Sequence, residues 1–388
     1  MTTRSDRSRR EYQAALGLAW ISESGCHSIL NLLAREGVEA VWTASRRRLL
    51  DWGISLKAAI RFEEQRDRFT SHRAETIMQR GAIRFLPFGS SLYPRELAHL
   101  ALPPAGLFVR GAEEALRRLV SGPRITIVGT RKATGYGLRA AEVFASAFSV
   151  EEIAVVSGMA LGIDALAHEA TLRSGGLTVA VLGCGVDVVY PRRHASLYEK
   201  IVQSGVVMSE LPPGTTPSRW TFPHRNRLLA ALGDAVMVVE ASCASGALQT
   251  ADWALELGRL VLSVPGPILV EGHEGCNRLL CEGAHPALDP RGAVEDFFWA
   301  TRMQTSERRS SSHDLSAGRG WVAQHGSPSV SDGRKRSILD CLTSGPCSVD
   351  DLVERTGLSA RELTAALAEL ELARETVRAG PGLYIRAP

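Results

Sequence analysis

The sequence predicts an α/β fold: a parallel sheet covered by helices on both faces, set between a small helical region and a separate C-terminal module. Three observations carry this. Between residues 125 and 264, short β-branched runs (125–128, 155–156, 179–182, 206–208, 236–240, 260–264) alternate with helix-compatible intervals. These runs are continuously apolar instead of alternating, as strands buried on both faces must be. From about residue 299 the composition turns serine-rich and aperiodic, which marks a boundary before the last segment.

Bulk figures bound the function. At 388 residues with 45% apolar content, the chain can build one large core and one or two satellites. The formal charge of +3, from 45 basic against 42 acidic residues, does not declare a nucleic-acid partner, so any basic surface must be local. Lysine occurs at only four positions (57, 132, 200, 335); the arginine bias suits bidentate phosphate contacts and equally reflects genome composition. The seven cysteines form no CxxC pair, which speaks against a disulfide framework or zinc ribbon. No stretch approaches the roughly 20 apolar residues of a membrane span and no signal peptide is recognisable, so a cytoplasmic protein is expected.

In chain order, residues 1–80 read as short amphipathic helices broken by Gly25, Gly37 and Gly53, and nothing in them carries chemistry. Residues 81–298 follow, with apolar runs at 83–86 and 107–110 leading into the sheet. In a parallel α/β sheet ligands bind at the carboxyl ends of the strands, so functional residues are expected just after each run.

The first such turn, Gly129-Thr130-Arg131-Lys132, puts two cations where a phosphate chain can meet them. The turn Ser157-Gly158 through Gly162 leads from strand to helix, and unpaired backbone N–H groups there suit an anion. Asp164 in the following helical turn reads as a dipole partner, and His168 as a packed residue more than a base. Cys184, between two glycines, has no activating base in the sequence. The strongest cluster is Phe222-Pro223-His224-Arg225-Asn226-Arg227: two arginines for phosphate, an asparagine for a base edge, an aromatic for stacking. Ser245-Gly246 opens a further helix able to hold phosphate, and Gly275-Cys276-Asn277 closes the series. No GxxxxGK[ST] element is present and the glycines at 135 and 137 lack the dinucleotide spacing, which excludes a P-loop triphosphatase and a nicotinamide oxidoreductase.

The blocks VGTRKATGYG, VVSGMALGIDALAHEATLRSGG, TVAVLGCGVDVVYP, FPHRNRLLAAL, VVEASCASGALQTADWALELGR and GCNRLLCEGA, in this order, resemble the DNA-processing protein A family (DprA, also called Smf). The resemblance implies an extended Rossmann-like core, to which a small N-terminal all-α (SAM-like) domain is joined. It implies a non-enzymatic binder of single-stranded DNA, without cofactor or metal. Such a protein dimerises through the Rossmann-like domain, protects incoming strands and helps load the RecA recombinase during natural transformation. By motif position, Arg131, Lys132, Ser157, Gly158, Gly162, Phe222, Arg225, Asn226, Arg227, Ser245, Gly246 and Asn277 would line the DNA site. The chain departs from the family where Leu161 replaces an arginine, Ala244 a basic residue and Cys276 a threonine. The alternative is a Rossmann-like hydrolase of nucleoside monophosphates, which needs a poised carboxylate pair from Asp164, Asp187 and Glu240.

Beyond a flexible linker at 299–332, which contains Trp321, residues 333–388 follow a helix, helix, helix, hairpin plan that predicts a winged helix. Its basic and acidic residues balance over 334–388 and the recognition-helix candidate 361–371 is net acidic, so a protein-contact or auxiliary role is expected.

Overall fold

The computed structural model describes residues 4–21, 27–313, 332–342, 347–358, 376–380 and 383–386, with four further positions between 363 and 370. The chain divides into two units, residues 1–310 and 311–388.

The first unit begins with helices α1 (Arg4–Ile21), α2 (His27–Leu30), α3 (Leu33–Glu36), α4 (Val38–Thr43), α5 (Arg46–Asp51), α6 (Leu56–Arg68) and α7 (Ser71–Arg80). Ser45 and Ser55 cap α5 and α6, their hydroxyls each accepting an N–H at 3.3 Å from Arg48 and Ala58. Gly17 lets α1 close on α4: a Cβ there would sit 2.4 Å from the Trp42 ring.

A nine-stranded sheet follows, with strands β1 (Arg84–Pro87), β2 (Gly106–Gly111), β3 (Arg124–Val128), β4 (Ala154–Ser157), β5 (Thr178–Val181), β6 (Val206–Ser209), β7 (Ala235–Val238), β8 (Leu260–Ser263) and β9 (His285–Pro286). Their order is β1-β2-β6-β5-β4-β3-β7-β8-β9. The helices between them are α8 (Glu113–Ser121), α9 (Gly135–Val150), α10 (Ile163–Arg173), α11 (Ala195–Ser204), α12 (Thr221–Leu232), α13 (Gly246–Glu256) and α14 (Glu274–Cys281), and α15 (Pro290–His313) follows the last strand. The seven strands from β6 to β9 run parallel, and every residue of β3, β4, β5, β6 and β7 is buried. That two-sided burial is why these strands read as continuous apolar runs.

The fold is thus the mixed α/β core expected, with one difference at its edge. β1 and β2 are antiparallel to each other, and β2 is antiparallel to β6. The connection from β1 to β2 spends its residues on proline turns and a single 3-10 turn (Arg95–His99), so no helix carries the chain back for a parallel return.

The boundary expected near residue 80 is a change of secondary structure and not a gap in packing. Leu16, Leu33, Leu49 and Phe62 from the helices share one buried cluster with Phe85, Phe108, Leu182 and Tyr198 from the sheet side. Phe108 sits 5.8 Å from Trp20 and 5.1 Å from Phe85, ring centre to ring centre.

A second difference concerns the segment from 299. Helix α15 continues through it to His313, so its first part is helical. Pro290 starts the helix, buried Phe297 anchors it, and no glycine or proline interrupts residues 301–313. Residues 314–331, with Trp321, lie outside the described residues.

The second unit holds α16 (Asp332–Leu342), β10 (Cys347–Ser348), α17 (Val349–Thr356), β11 (Thr376–Gly380) and β12 (Leu383–Arg386), with sheet order β10-β12-β11. Ile338, Leu352 and Leu363 are buried in its own core. The recognition-helix candidate 361–371 falls largely outside the described residues. Among the described residues no helix is long and apolar enough to cross a membrane.

His168 of α10 settles as a packed residue. Its Nδ1 meets the Thr178 hydroxyl at 2.6 Å, and that hydroxyl donates to the Val155 carbonyl at 3.1 Å, so Nδ1 carries the proton. Nε2 is buried without a partner, and burial pushes the imidazole down to about 3 from its usual 6.5. Because the folded value lies below the unfolded one, this contribution is present above pH 6.5 and is lost as pH falls from there toward 3. His168→Gln should therefore remove about 2 kcal/mol of the stability lost between roughly pH 7 and 5, at about 1.4 kcal/mol per unit. Urea midpoints of both chains across that range check this; parallel pH profiles would refute it.

Candidate nucleic-acid interface

A cleft of about 710 Å³ lies at the carboxyl ends of the central strands, lined by residues from the turns after β3, β4 and β7 and by α12. Its construction starts at the turn between β3 and α9. Glu240, buried just beyond β7, accepts the Thr134 N–H at 3.2 and 3.1 Å and the Thr134 hydroxyl at 2.9 Å. The Thr130 N–H donates to the Glu240 carbonyl at 2.7 Å. Thr134 also caps α9 by accepting the Gly137 N–H at 3.1 Å. Pinned at both ends, the turn presents Arg131 and Lys132 as exposed residues on the cleft.

The turn after β4 is built differently from the open anion cradle that its sequence suggests. The Asp164 carboxylate accepts the Gly158 and Ala160 N–H groups at 3.1 and 3.2 Å, so those donors are already used inside the protein. Gly162 takes a φ of +78° and a Cβ there would lie 2.4 Å from the Thr130 carbonyl, which is why the two turns can touch. Burial pushes the Asp164 carboxyl up, against the opposing pull of the Arg225 guanidinium. The Ser157 hydroxyl is buried and donates to the Ile127 carbonyl at 2.6 Å.

Helix α12 separates the three residues of the Arg-Asn-Arg run. Successive residues turn about 100° around a helix, so positions two apart point about 200° apart. Arg225 reaches the cleft while being buried: it donates to the Val181 carbonyl at 2.5 Å and lies against Gly158, where a Cβ would sit 2.1 Å from its Nη1. Burial brings its guanidinium down to about 10, which leaves it cationic at neutral pH. Asn226 lines the cleft and donates to the Gly246 carbonyl at 3.2 Å. Arg227 faces the other way, buried and paired with Glu210, with His224 at 3.1 Å.

Ser245 caps α13, its hydroxyl accepting the Ala247 N–H at 3.3 Å, and Ser245 and Gly246 both line the cleft. Asn277 does not reach it: its side chain accepts the Gly266 N–H and donates to the Gly266 carbonyl, both at 3.1 Å, which fastens the loop after β8. Gly158 lines a smaller recess beside the cleft with Leu161, Arg131 and Phe222. The structure thus gathers Arg131, Lys132, Phe222, Arg225, Asn226, Ser245 and Gly246 on one cleft, and gives Ser157, Gly162, Arg227 and Asn277 internal roles.

The cleft also takes in residues that the sequence does not single out, Tyr190 and Arg219 among them. Tyr190 lies 5.6 Å from Phe222, ring to ring, and Arg219 enters from the loop before α12. Arg219 had a signal, since it lies just before the FPHRNR block; Tyr190 sits in a turn that sequence periodicity cannot place. Cys184 is no nucleophile: its thiol donates to the Val188 carbonyl at 3.3 Å, and burial pushes it up to about 11. Cys276 is buried beneath the sheet end, with its thiol 3.7 Å from the Val238 carbonyl, and does not line the cleft.

Removing the Arg227 guanidinium should therefore act on stability. Arg227→Ala leaves Glu210 buried without its cation and should cost about 3 kcal/mol in urea unfolding. A loss below about 1 kcal/mol would place Arg227 in solvent instead.

Comparison with known proteins accords with this architecture. The family model for DNA recombination-mediator protein A matches residues 84–298, and one for the DprA winged helix domain matches residues 323–382. The protein Smf of Escherichia coli is 34% identical over 78% of this chain and 76% of its own length. A DNA processing protein DprA of Mycobacterium tuberculosis is 38% identical over 64% of this chain, a match that spans 60% of that relative's length. The crystal structure of DprA from Streptococcus pneumoniae superposes with a TM-score of 0.59 at 28% identity, covering 76% of this chain and 99% of the other. A structure of DNA processing protein A from Helicobacter pylori, described for its single-stranded DNA binding mode, superposes with a TM-score of 0.51 at 26% identity, covering 56% and 97%. The chain belongs to the DNA recombination-mediator protein A family.

Proposed function

We propose that this protein binds single-stranded DNA in the cleft and acts as a recombination mediator in the cytoplasm. In that role it protects incoming strands and helps load RecA during natural transformation, as a homodimer formed through the Rossmann-like domain. The observation that carries the reading is the division of charge at the strand ends. Arg131, Lys132 and Arg219 face the cleft together with the buried Arg225, while Asp164, the carboxylate on the cleft lining, is buried and already accepts two backbone N–H groups. Phosphates of a single strand are the ligand that such a surface takes, with cations positioning the backbone.

The rival hydrolase needs a carboxylate free to move a proton. Asp164 is occupied by two backbone N–H groups beside Arg225, Glu240 by the Thr134 N–H and hydroxyl, and Asp187 by the Gly214 N–H at 2.8 Å. That engagement favours a binding protein over a catalyst.

Titration of an oligo-dT strand over a salt series tests the reading. Arg131→Ala combined with Arg219→Ala should weaken binding at least tenfold and flatten the dependence of log affinity on log salt by roughly 0.7 per lost phosphate contact. Unchanged affinity in the double variant would remove the cleft from the DNA path, and binding of a mononucleotide alone would favour the hydrolase. Deleting residues 333–388 should leave oligo-dT affinity within about threefold, given the balanced charge of that module; loss of binding would make the winged helix part of the strand's path.

A further inference from the structure

The aromatic that the sequence offers for stacking, Phe222, is already engaged. The Arg131 guanidinium carbon stands 5.3 Å from its ring centre and the Tyr190 ring 5.6 Å away. Trp220, two residues earlier, is in the opposite condition, with 71% of its surface exposed. One face of its indole is covered by the neighbouring Arg219, whose guanidinium carbon lies 4.6 Å from the ring centre. Arg219, Pro217 and Ser218 belong to the cleft wall, so the indole stands at its lip.

The turn that presents this indole is braced. The Thr221 hydroxyl donates to the Ser218 carbonyl at 2.9 Å and accepts the Ser218 N–H at 3.1 Å, and the Trp220 N–H donates to the Ser218 hydroxyl at 3.3 Å. Helix α12 starts at Thr221 and carries Arg225 into the cleft floor, so the lip and the floor are one continuous piece of chain. A large aromatic surface held in water on a fixed turn contributes little to folding, and every nucleobase offers a flat π-face that such a surface can cover.

We propose that Trp220 is a base-stacking platform at the lip of the cleft: Arg219 covers one face of the indole, and the other face receives a nucleobase from a strand whose phosphates pass Arg131 and Arg219. This rests on the single-strand reading above and adds a contact to bases, where the cleft itself offers contacts to phosphate. Bases in a duplex are covered on both faces by their neighbours, so the platform selects single strands over double ones.

The test compares oligo-dT with an abasic deoxyribose-phosphate strand of equal length, using the full chain with Trp220→Ala and Trp220→Phe. Trp220→Ala should weaken oligo-dT binding on the order of tenfold, the size of one lost stacking contact, and leave the abasic strand and the salt dependence unchanged. Trp220→Phe should keep most of the affinity, and both variants should melt with the parent because the side chain is exposed. If the parent chain binds oligo-dT and Trp220→Ala binds it equally well, the platform is overturned while the cleft reading stands. Equal losses on both strands would likewise overturn it, by making Trp220 a support for Arg219. Failure of the parent chain to bind oligo-dT would overturn the single-strand reading and the platform with it.

Discussion

The buried carboxylates at the carboxyl end of the sheet govern what the cleft can be. A charge removed from water costs several kcal/mol unless it is paired or hydrogen-bonded, so Asp164, Glu210 and Glu240 must each be answered from within the chain. Asp164 takes two backbone N–H groups beside Arg225, Glu210 takes Arg227, and Glu240 takes the Thr134 N–H and hydroxyl. These internal contacts fasten the turn after β3 to the end of β7, close the turn after β4 onto the start of α10, and tie α12 to the end of β6. Arg131, Lys132 and Arg219, which none of these carboxylates takes up, are exposed cations on the cleft.

Much of this was legible in the sequence because two-sided burial writes itself as continuous apolar runs, and because ligands gather where parallel strands end. The six central strand positions, and Arg131, Lys132, Arg225, Asn226, Ser245 and Gly246 on one cleft, follow from those two rules. What could not be read depends on the direction of side chains and on partners distant in sequence. Arg225 and Arg227 look equivalent in a string, but helix geometry sends them to opposite sides. The N–H groups at Gly158 and Ala160 look free until Asp164 folds back onto them. The antiparallel edge and the length of α15 were hidden for another reason: each is decided by what the chain lacks, a crossover helix in the first case and a helix breaker in the second.

The three positions at which the resemblance led to the expectation of other residues sort by depth. Cys276 is enclosed and bears on packing. Leu161 lines the small recess beside the cleft together with Met159 and Tyr190, so the wall there is apolar. Ala244 is exposed on the loop before α13. The cleft therefore draws its charge from the side of Arg131, Lys132 and Arg219, and the aromatic rings of Tyr190 and Phe222 adjoin that side.

The far edge of the sheet carries a consequence of its own. β9 is two residues long and ends in Pro286, a residue with no N–H to give a neighbouring strand. An edge this short and this poor in donors resists the addition of another chain's strand. Two copies of the protein meeting on this side cannot fuse their sheets into one; they must meet through helix faces and side chains, an association that can be undone without breaking a backbone ladder.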